Sequence, residues 1–320
     1  MNEATSLLRL YVPLIIWIGS GWVLGRWLPN SIPLRLGKFL FWVGVPLSIV
    51  AFLRQANLSA AVWFAPLTAW AALLLGALLA WGWIQGQIYL AHFFTSGDRL
   101  PDHPLQHRPT QGSFLLAAMV GNTGYLGYPV SLALVGTEHF GWAVFYDTMG
   151  STLGAYGLGV MLAAHFSESQ HSGKLWQSIL KNPAFWSFWL GLGLRSVPLP
   201  GVVEVGLKNC AWVIIALSLL LLGMRLSQLS SWHSVQPAAI SLGIKMLIVP
   251  LLLGFELPRL GITGLPQLSI VLQMAMPPAF ATLVIAEAYD LDRDLTVTTL
   301  ALGSIGLLVL LPLWIWLFAP

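Results

Sequence analysis

Gly121-Asn122-Thr123-Gly124-Tyr125-Leu126-Gly127-Tyr128-Pro129 sits in the middle of an apolar segment long enough to cross a bilayer, yet it is full of helix breakers. Three glycines and a proline in nine residues do not sustain an uninterrupted helix. Inside hydrocarbon each unpaired peptide group costs several kcal/mol, so irregular backbone survives only where protein or a water-filled cavity surrounds it. The stretch therefore predicts a cavity at membrane depth, with Asn122 and Thr123 offering polar groups to whatever enters. A second break, Ala275-Met276-Pro277-Pro278, falls at the corresponding place in the other half of the chain. Two interrupted spans, one per half, are the pattern of a transporter substrate site.

Composition sets the frame for this reading. The chain has 320 residues, 57% hydrophobic and 8% charged, with a mean hydropathy of +0.78. A soluble domain carries about a quarter charged residues, so the class is a polytopic, all-α membrane protein that meets the lipid bilayer along its length. A single cysteine, Cys210, excludes an internal disulfide and a cysteine-cluster metal site. The formal charge of +3 is too small to suggest nucleic acid. No secretory signal is read at the start, because the first apolar segment is too long and lacks a small-residue cleavage site. The 16 tryptophans suit many membrane–water interfaces.

At about twenty apolar residues per crossing, the sequence divides into ten spans, at 8–28, 33–52, 61–83, 113–135, 140–165, 183–197, 202–224, 237–255, 265–288 and 295–318. The third is free to continue as a helix towards Phe94, and a polar loop follows at 96–111. Five spans (1–166) precede a hydrophilic linker (167–182) and five follow it (183–320). The linker contains an interfacial-helix pattern at 174–181, apolar at helical spacing with a lysine at each end. An odd number of spans per half makes two halves of like fold inverted repeats, and each break lies in the fourth span of its half. Lysine and arginine counts place Arg26, Arg35, Lys38, Arg99, Arg108, Lys174, Lys181, Arg225 and Arg293 on one side. That asymmetry puts the linker in the cytoplasm and both termini outside it.

A helix restarting after Asn122 has a partly positive N-terminus with free amides, suited to a carboxylate or other small anion. The ninth span repeats the arrangement at Pro277 and Pro278. A packing kink would explain one such break; two in matching places favour a site. Lys245 lies at mid-depth of the eighth span, where a lysine costs about 2.5–3.5 kcal/mol, so it should face the protein interior. It could attract an anion or exchange a proton. Tyr146-Asp147 in the fifth span offers a partner for Lys245 or a proton-binding group, and a structural aspartate is the other reading. Gln273, one turn before Pro277, points to the same cavity if its helix is regular, with Thr282 beyond the break; both could instead join helices. Glu287, Asp290, Asp292, Arg293 and Asp294 read as a solvated turn with a helix cap. His103, His107, His165, His171 and His233 have no metal-ligand spacing, no cofactor is implied, and enzyme signatures are absent.

At these residues the sequence resembles the auxin efflux carrier family. Asn122-Thr123 followed by Gly127-Tyr128-Pro129 is similar to that family's crossover, and Ala275-Met276-Pro277 with Ala286-Glu287-Ala288-Tyr289-Asp290-Leu291 is similar to its ninth span and the turn after it. Asn182-Pro183 and Tyr146-Asp147 are similar to bacterial members. The resemblance implies ten helices in two inverted repeats, crossover helices four and nine, scaffold and transport domains, and elevator-like movement. It implies a permease for small organic anions in a bacterial inner membrane, often as a homodimer. Asn122, Thr123, Gly124, Tyr125, Pro129, Tyr146, Gln273, Pro277 and Pro278 would form the substrate site, with Asp147 and Lys245 setting charge balance or proton coupling. The plant exporters' additional asparagine and long central loop are missing, which favours a bacterial-type permease over an auxin exporter. Two other readings stand beside this one. One is a sodium-coupled symporter of the bile-acid-symporter-like type; the other is a membrane sensor that keeps the carrier fold.

Overall fold

A computed structural model describes residues 3–29, 31–56, 58–94, 104–167, 183–227 and 234–320. The expected interfacial helix at 174–181, the first part of the polar loop with Arg99, and His103, His171 and His233 lie outside those residues. The regular structure among the described residues is all helical, with no strand beyond one isolated bridge.

The first helices are α1 (Glu3–Trp27), α2 (Ser31–Leu53) and α3 (Phe64–Phe94). The next span is split into α4 (Arg108–Met119) and α5 (Tyr128–Phe145), the second entered by a π turn at Thr123–Gly127. Gly136, at φ 71° and ψ 177°, bends the backbone inside α5; only glycine holds that conformation without strain. The chain continues through π turns at Tyr146–Thr152 and Ala155–Gly159 into α6 (Val160–Phe166). Then come α7 (Pro183–Gly193), α8 (Gly201–Ser227) and α9 (Val235–Leu260). A second split span gives α10 (Leu265–Met274) and α11 (Phe280–Ala288), and α12 (Arg293–Phe318) closes the chain.

Among the described residues, five helical segments are long and apolar enough to cross a membrane: Ser31–Leu53, Ala60–Leu90, Gly201–Arg225, Val235–Leu260 and Arg293–Phe318. The split spans are interrupted, the first by Gly121, Asn122 and Gly124 and the second by Pro277 and Pro278. On α3, Leu67, Leu74, Leu78 and Trp81 recur at helical spacing and are each more than half exposed. An apolar stripe of that extent suits lipid rather than water.

The helices pack in two groups. In the first, α1 lies against α8, and α2 lies between α7 and α8. The α1–α8 approach is backbone to backbone: a Cβ on Gly21 would land on the Leu220 carbonyl, and one on Gly223 would land on the Ile18 carbonyl. Small residues let membrane helices come this close, and the contact area gained replaces the hydrophobic drive that lipid removes. In the second group, α5 packs on α10, α3 on α4 and on the π turn at Tyr146–Thr152, and α9 on α12. Edge-on aromatic pairs join the groups, Phe52 with Phe140 at 5.3 Å and Phe145 with Phe188 at 4.9 Å.

One polar knot fixes the end of the second group. The Asp292 carboxylate caps α12 by accepting from the Leu295 N–H at 2.9 Å, and it also accepts from the Thr110 hydroxyl at 2.8 Å. The Ser113 hydroxyl donates to the Asp292 carbonyl at 2.8 Å. The expected cap is therefore present, but Asp292 also clamps α4 to α12. Arg293 with Glu287, 3.0 Å apart, is the exposed pair of that turn.

Candidate functional site

The two interruptions lie against each other. After Met119 the backbone extends at Val120 (φ −94°, ψ 109°), and after Met274 it extends by Ala279 (φ −76°, ψ 150°). The Asn122 N–H donates to the Pro277 carbonyl at 2.7 Å, and the Ala279 N–H donates to the Val120 carbonyl at 3.1 Å. Gly121 and Pro278 thus face each other as a short antiparallel bridge. Each break supplies what the other lacks, which is how backbone without helical partners persists at membrane depth. Two prolines help, because they bring no N–H that would need a partner.

Asn122 also organises the restart of the helix. Its Oδ1 accepts from the Tyr125 N–H at 3.3 Å, and its carbonyl accepts from the N–H groups of Leu126 and Gly127 at 3.2 and 3.0 Å. Asparagine does this readily, since a short amide mimics a backbone acceptor at a helix start. The N–H groups of Thr123 and Gly124, and those of Phe280 and Ala281, have no hydrogen-bond partner among the described residues. All four residues line one cavity of about 400 Å³.

That cavity lies between the two helix groups. One wall is the crossing itself, from Val120 to Leu126 and from Ala279 to Ala281; Asp147, Ser151, Thr152 and Tyr156 continue it. The opposite wall is Lys38, Phe41 and Trp42 of α2 with Ser218, Leu221 and Arg225 of α8. A volume of this size suits a small organic molecule.

Asp147 is buried beneath the break. Its carboxylate accepts from the hydroxyls of Thr123 and Tyr128, the latter at 2.7 Å. A carboxylate accepting hydrogen bonds from two hydroxyls is fixed in place, and Thr123 ties it to the crossing. Lys245 sits on the far side. Its Nζ donates to the Met274 carbonyl at 2.8 Å, at the C-terminal end of α10 where a cation is favoured. A Cβ on Gly121 would stand 3.1 Å from Lys245 Cε and 3.2 Å from its Nζ, so the lysine lies directly behind the bridge. Of the readings open for Asp147, the pairing with Lys245 is not formed: Asp147 accepts from Thr123 and Tyr128, and Lys245 donates to the Met274 carbonyl.

The other sequence-derived candidates divide. Asn122, Thr123, Gly124 and Tyr125 line the cavity. Pro129, Tyr146, Gln273, Pro277, Pro278 and Thr282 do not line it. Gln273 is fully buried, and its amide N–H donates to Ser131 Oγ at 3.0 Å, packing α10 on α5 behind the crossing. The Thr282 hydroxyl donates to the Ala279 carbonyl at 2.6 Å, inside the first turn of α11. Tyr146 is buried in the aromatic core. Two cations reach the cavity that the sequence marks only as topological charges, Lys38 and Arg225. An arginine one turn from a helix end reads alike in sequence whether it meets lipid headgroups or a cavity. Only the intrusion of Phe280 beside it separates the cases, with the guanidinium 4.3 Å above the ring.

Comparison with known proteins bears on this geometry. Residues 105–315 match the family described as Membrane transport protein. Over 206 residues, 64% of this chain and 67% of the relative, the sequence is 35% identical to an uncharacterized transporter of Methanothermobacter thermautotrophicus. Over 212 residues, 64% of this chain and 68% of the relative, it is 27% identical to an uncharacterized transporter of Methanocaldococcus jannaschii. Both breaks, Asp147, Arg225 and Lys245 fall inside the family match, whereas α1, α2 and α3 precede it.

Proposed function

Because the chain belongs to the membrane transport protein family, that of the auxin efflux carriers, we propose that this integral membrane transporter is a secondary carrier of small organic anions. The substrate carboxylate docks at the crossing, on the free N–H groups of Thr123 and Gly124, with Asn122 holding that turn open. The observation that carries this reading is the pair of hydrogen-bonded breaks whose restarting helices both begin at one cavity wall. Helix N-termini are ready anion sites, since donors and dipole point the same way. Once a bound substrate has displaced water, such donors gain strength because nothing competes for them.

The ten-span, inverted-repeat organisation is part of the same proposal. Two matching breaks, one in each half, support it. So does the grouping of α1, α2, α7 and α8 apart from the helices that carry the crossing. Alternating access then consists of the crossing group moving past the other group, in elevator fashion, with the cavity at the seam. Lys38 and Arg225 mark the open side as cytoplasmic in the proposed orientation. Asp147, tethered to the crossing through Thr123, is the group placed to carry a proton with the anion.

Uptake of radiolabelled malonate, succinate and phenylacetate into proteoliposomes, with and without sodium, tests the reading. The expected result is saturable, sodium-independent uptake of at least one acid that Asn122→Ala abolishes while the purified yield stays unchanged. Full activity in Asn122→Ala removes the crossing from the site. Binding without flux by the wild type turns the assignment to a sensor, and strict sodium dependence turns it to a symporter.

A further inference from the structure

We propose that Arg225 is the residue that makes the cavity selective for anions, meeting the substrate's charge from the wall opposite Asn122. The inference rests on the organic-anion reading above and adds a second, side-chain anchor to it.

Arg225 lies in the last turn of α8, half-buried, with its guanidinium over the Phe280 ring. The side chain passes Gly37 of α2 so closely that a Cβ there would stand 2.7 Å from Nη2. No acid pairs with it among the described residues. Asp147, the acidic residue of the lining, is already engaged by Thr123 and Tyr128. The cavity thus holds a cation whose charge nothing in the described structure neutralises.

Taking a guanidinium partly out of water is unfavourable unless a partner compensates. A ring contact returns only part of that cost. A carboxylate arriving in the cavity supplies the rest, because the planar guanidinium presents two parallel N–H groups to its two oxygens. Phe280 and Gly37 have complementary parts here, the first as a flat floor for the guanidinium and the second as the space it passes through. The anchor also has a position that matters for movement. Arg225 belongs to the α1–α2–α7–α8 group, whereas Asn122 and the free amides belong to the crossing. A bound anion touches both groups, and a neutral molecule of the same shape leaves Arg225 unpaired.

The test uses the purified full chain in detergent, with malonate as the probe and malonamide as its uncharged counterpart, by isothermal titration calorimetry. Arg225→Gln is expected to weaken malonate at least tenfold, leave malonamide unchanged, and so erase the preference for the charged molecule. Arg225→Lys should recover part of the loss. A purely structural arginine is excluded by charge rescue. Arg225→Cys in a Cys210→Ser background, treated with a trimethylammonium methanethiosulfonate, should regain malonate binding, and a sulfonate reagent should not. Arg225→Gln that melts like the wild type and binds malonate with unchanged affinity overturns the proposal, as does equal rescue by both reagents. In either case wild-type binding that is still lost in Asn122→Ala leaves the organic-anion reading standing. A wild type that binds none of malonate, succinate and phenylacetate removes both.

Discussion

Replacing Lys245 with methionine removes a buried cation while keeping the volume and length of its stem, and two opposing terms set the outcome. The ammonium's hydrogen bond to the Met274 carbonyl, at 2.8 Å, is a bond to a charged group and contributes about 1.5–3 kcal/mol. Against that stands the cost of a lysine at mid-membrane, about 2.5–3.5 kcal/mol. No acid offsets that cost among the described residues. The terms nearly cancel, so Lys245→Met should leave stability within about 2 kcal/mol of the wild type, a melting shift below about 8 °C. Function should respond differently. The lysine stands directly behind Gly121 and holds the end of α10 against the bridge. Without it the Met274 carbonyl loses its cation and the crossing its brace, and malonate uptake should fall at least tenfold. Scanning fluorimetry and proteoliposome flux on the same preparation read both quantities. A melting point lower by more than 10 °C with flux preserved would refute the reasoning, because the lysine would then serve the fold and not the crossing.

Asp147→Asn keeps the shape beneath the break but removes the carboxylate that Thr123 and Tyr128 address. An imposed inward proton gradient should speed uptake by the wild type and leave the variant indifferent; equal stimulation of both would discard Asp147 as the coupling group. Gly127→Ala should destabilise the fold by an overpacking cost of about 1–3 kcal/mol and so lower the melting point. The added methyl would overlap the Gln273 amide, which Ser131 holds in place, and Gly127→Ala combined with Gln273→Ala should restore it. A single variant as stable as the wild type would show that α10 yields there. Asp292→Ala should lose about 0.5–2 kcal/mol as a cap and more through the Thr110 bond. A change under 0.5 kcal/mol in urea or thermal unfolding would mean that α4 and α12 are held elsewhere.

The crossing was legible because its chemistry is local. Glycine, asparagine and proline in an apolar span break a helix wherever the span lies, and one in each half invites pairing. The depth of Asp147 and Lys245 followed from counting residues. Which way side chains face was not legible. A π turn adds a residue to its turn and so rotates everything after it by about 100°, and such turns occur at Tyr146–Thr152, Ala155–Gly159 and Ile244–Ile248. Depth suggested that Asp147 and Lys245 could meet, and regular spacing that Gln273 faced the cavity; no π turn interrupts α10, so for Gln273 it is the packing of α10 on α5 that decides. In the structure Asp147 turns to Thr123 and Tyr128, Lys245 turns to a carbonyl, and Gln273 packs on α5. Arg225 stayed hidden for another reason. Its neighbour Phe280 lies 55 residues away, and nothing near position 225 in the sequence indicates a ring beneath the guanidinium.

A structure of the wild type determined with saturating malonate tests the central claim most directly. The account predicts a carboxylate in the cavity with an oxygen within hydrogen-bond distance of the Thr123 and Gly124 N–H groups, and the Asn122–Pro277 bond intact. Malonate held elsewhere, with those two amides facing empty space or protein, would contradict it.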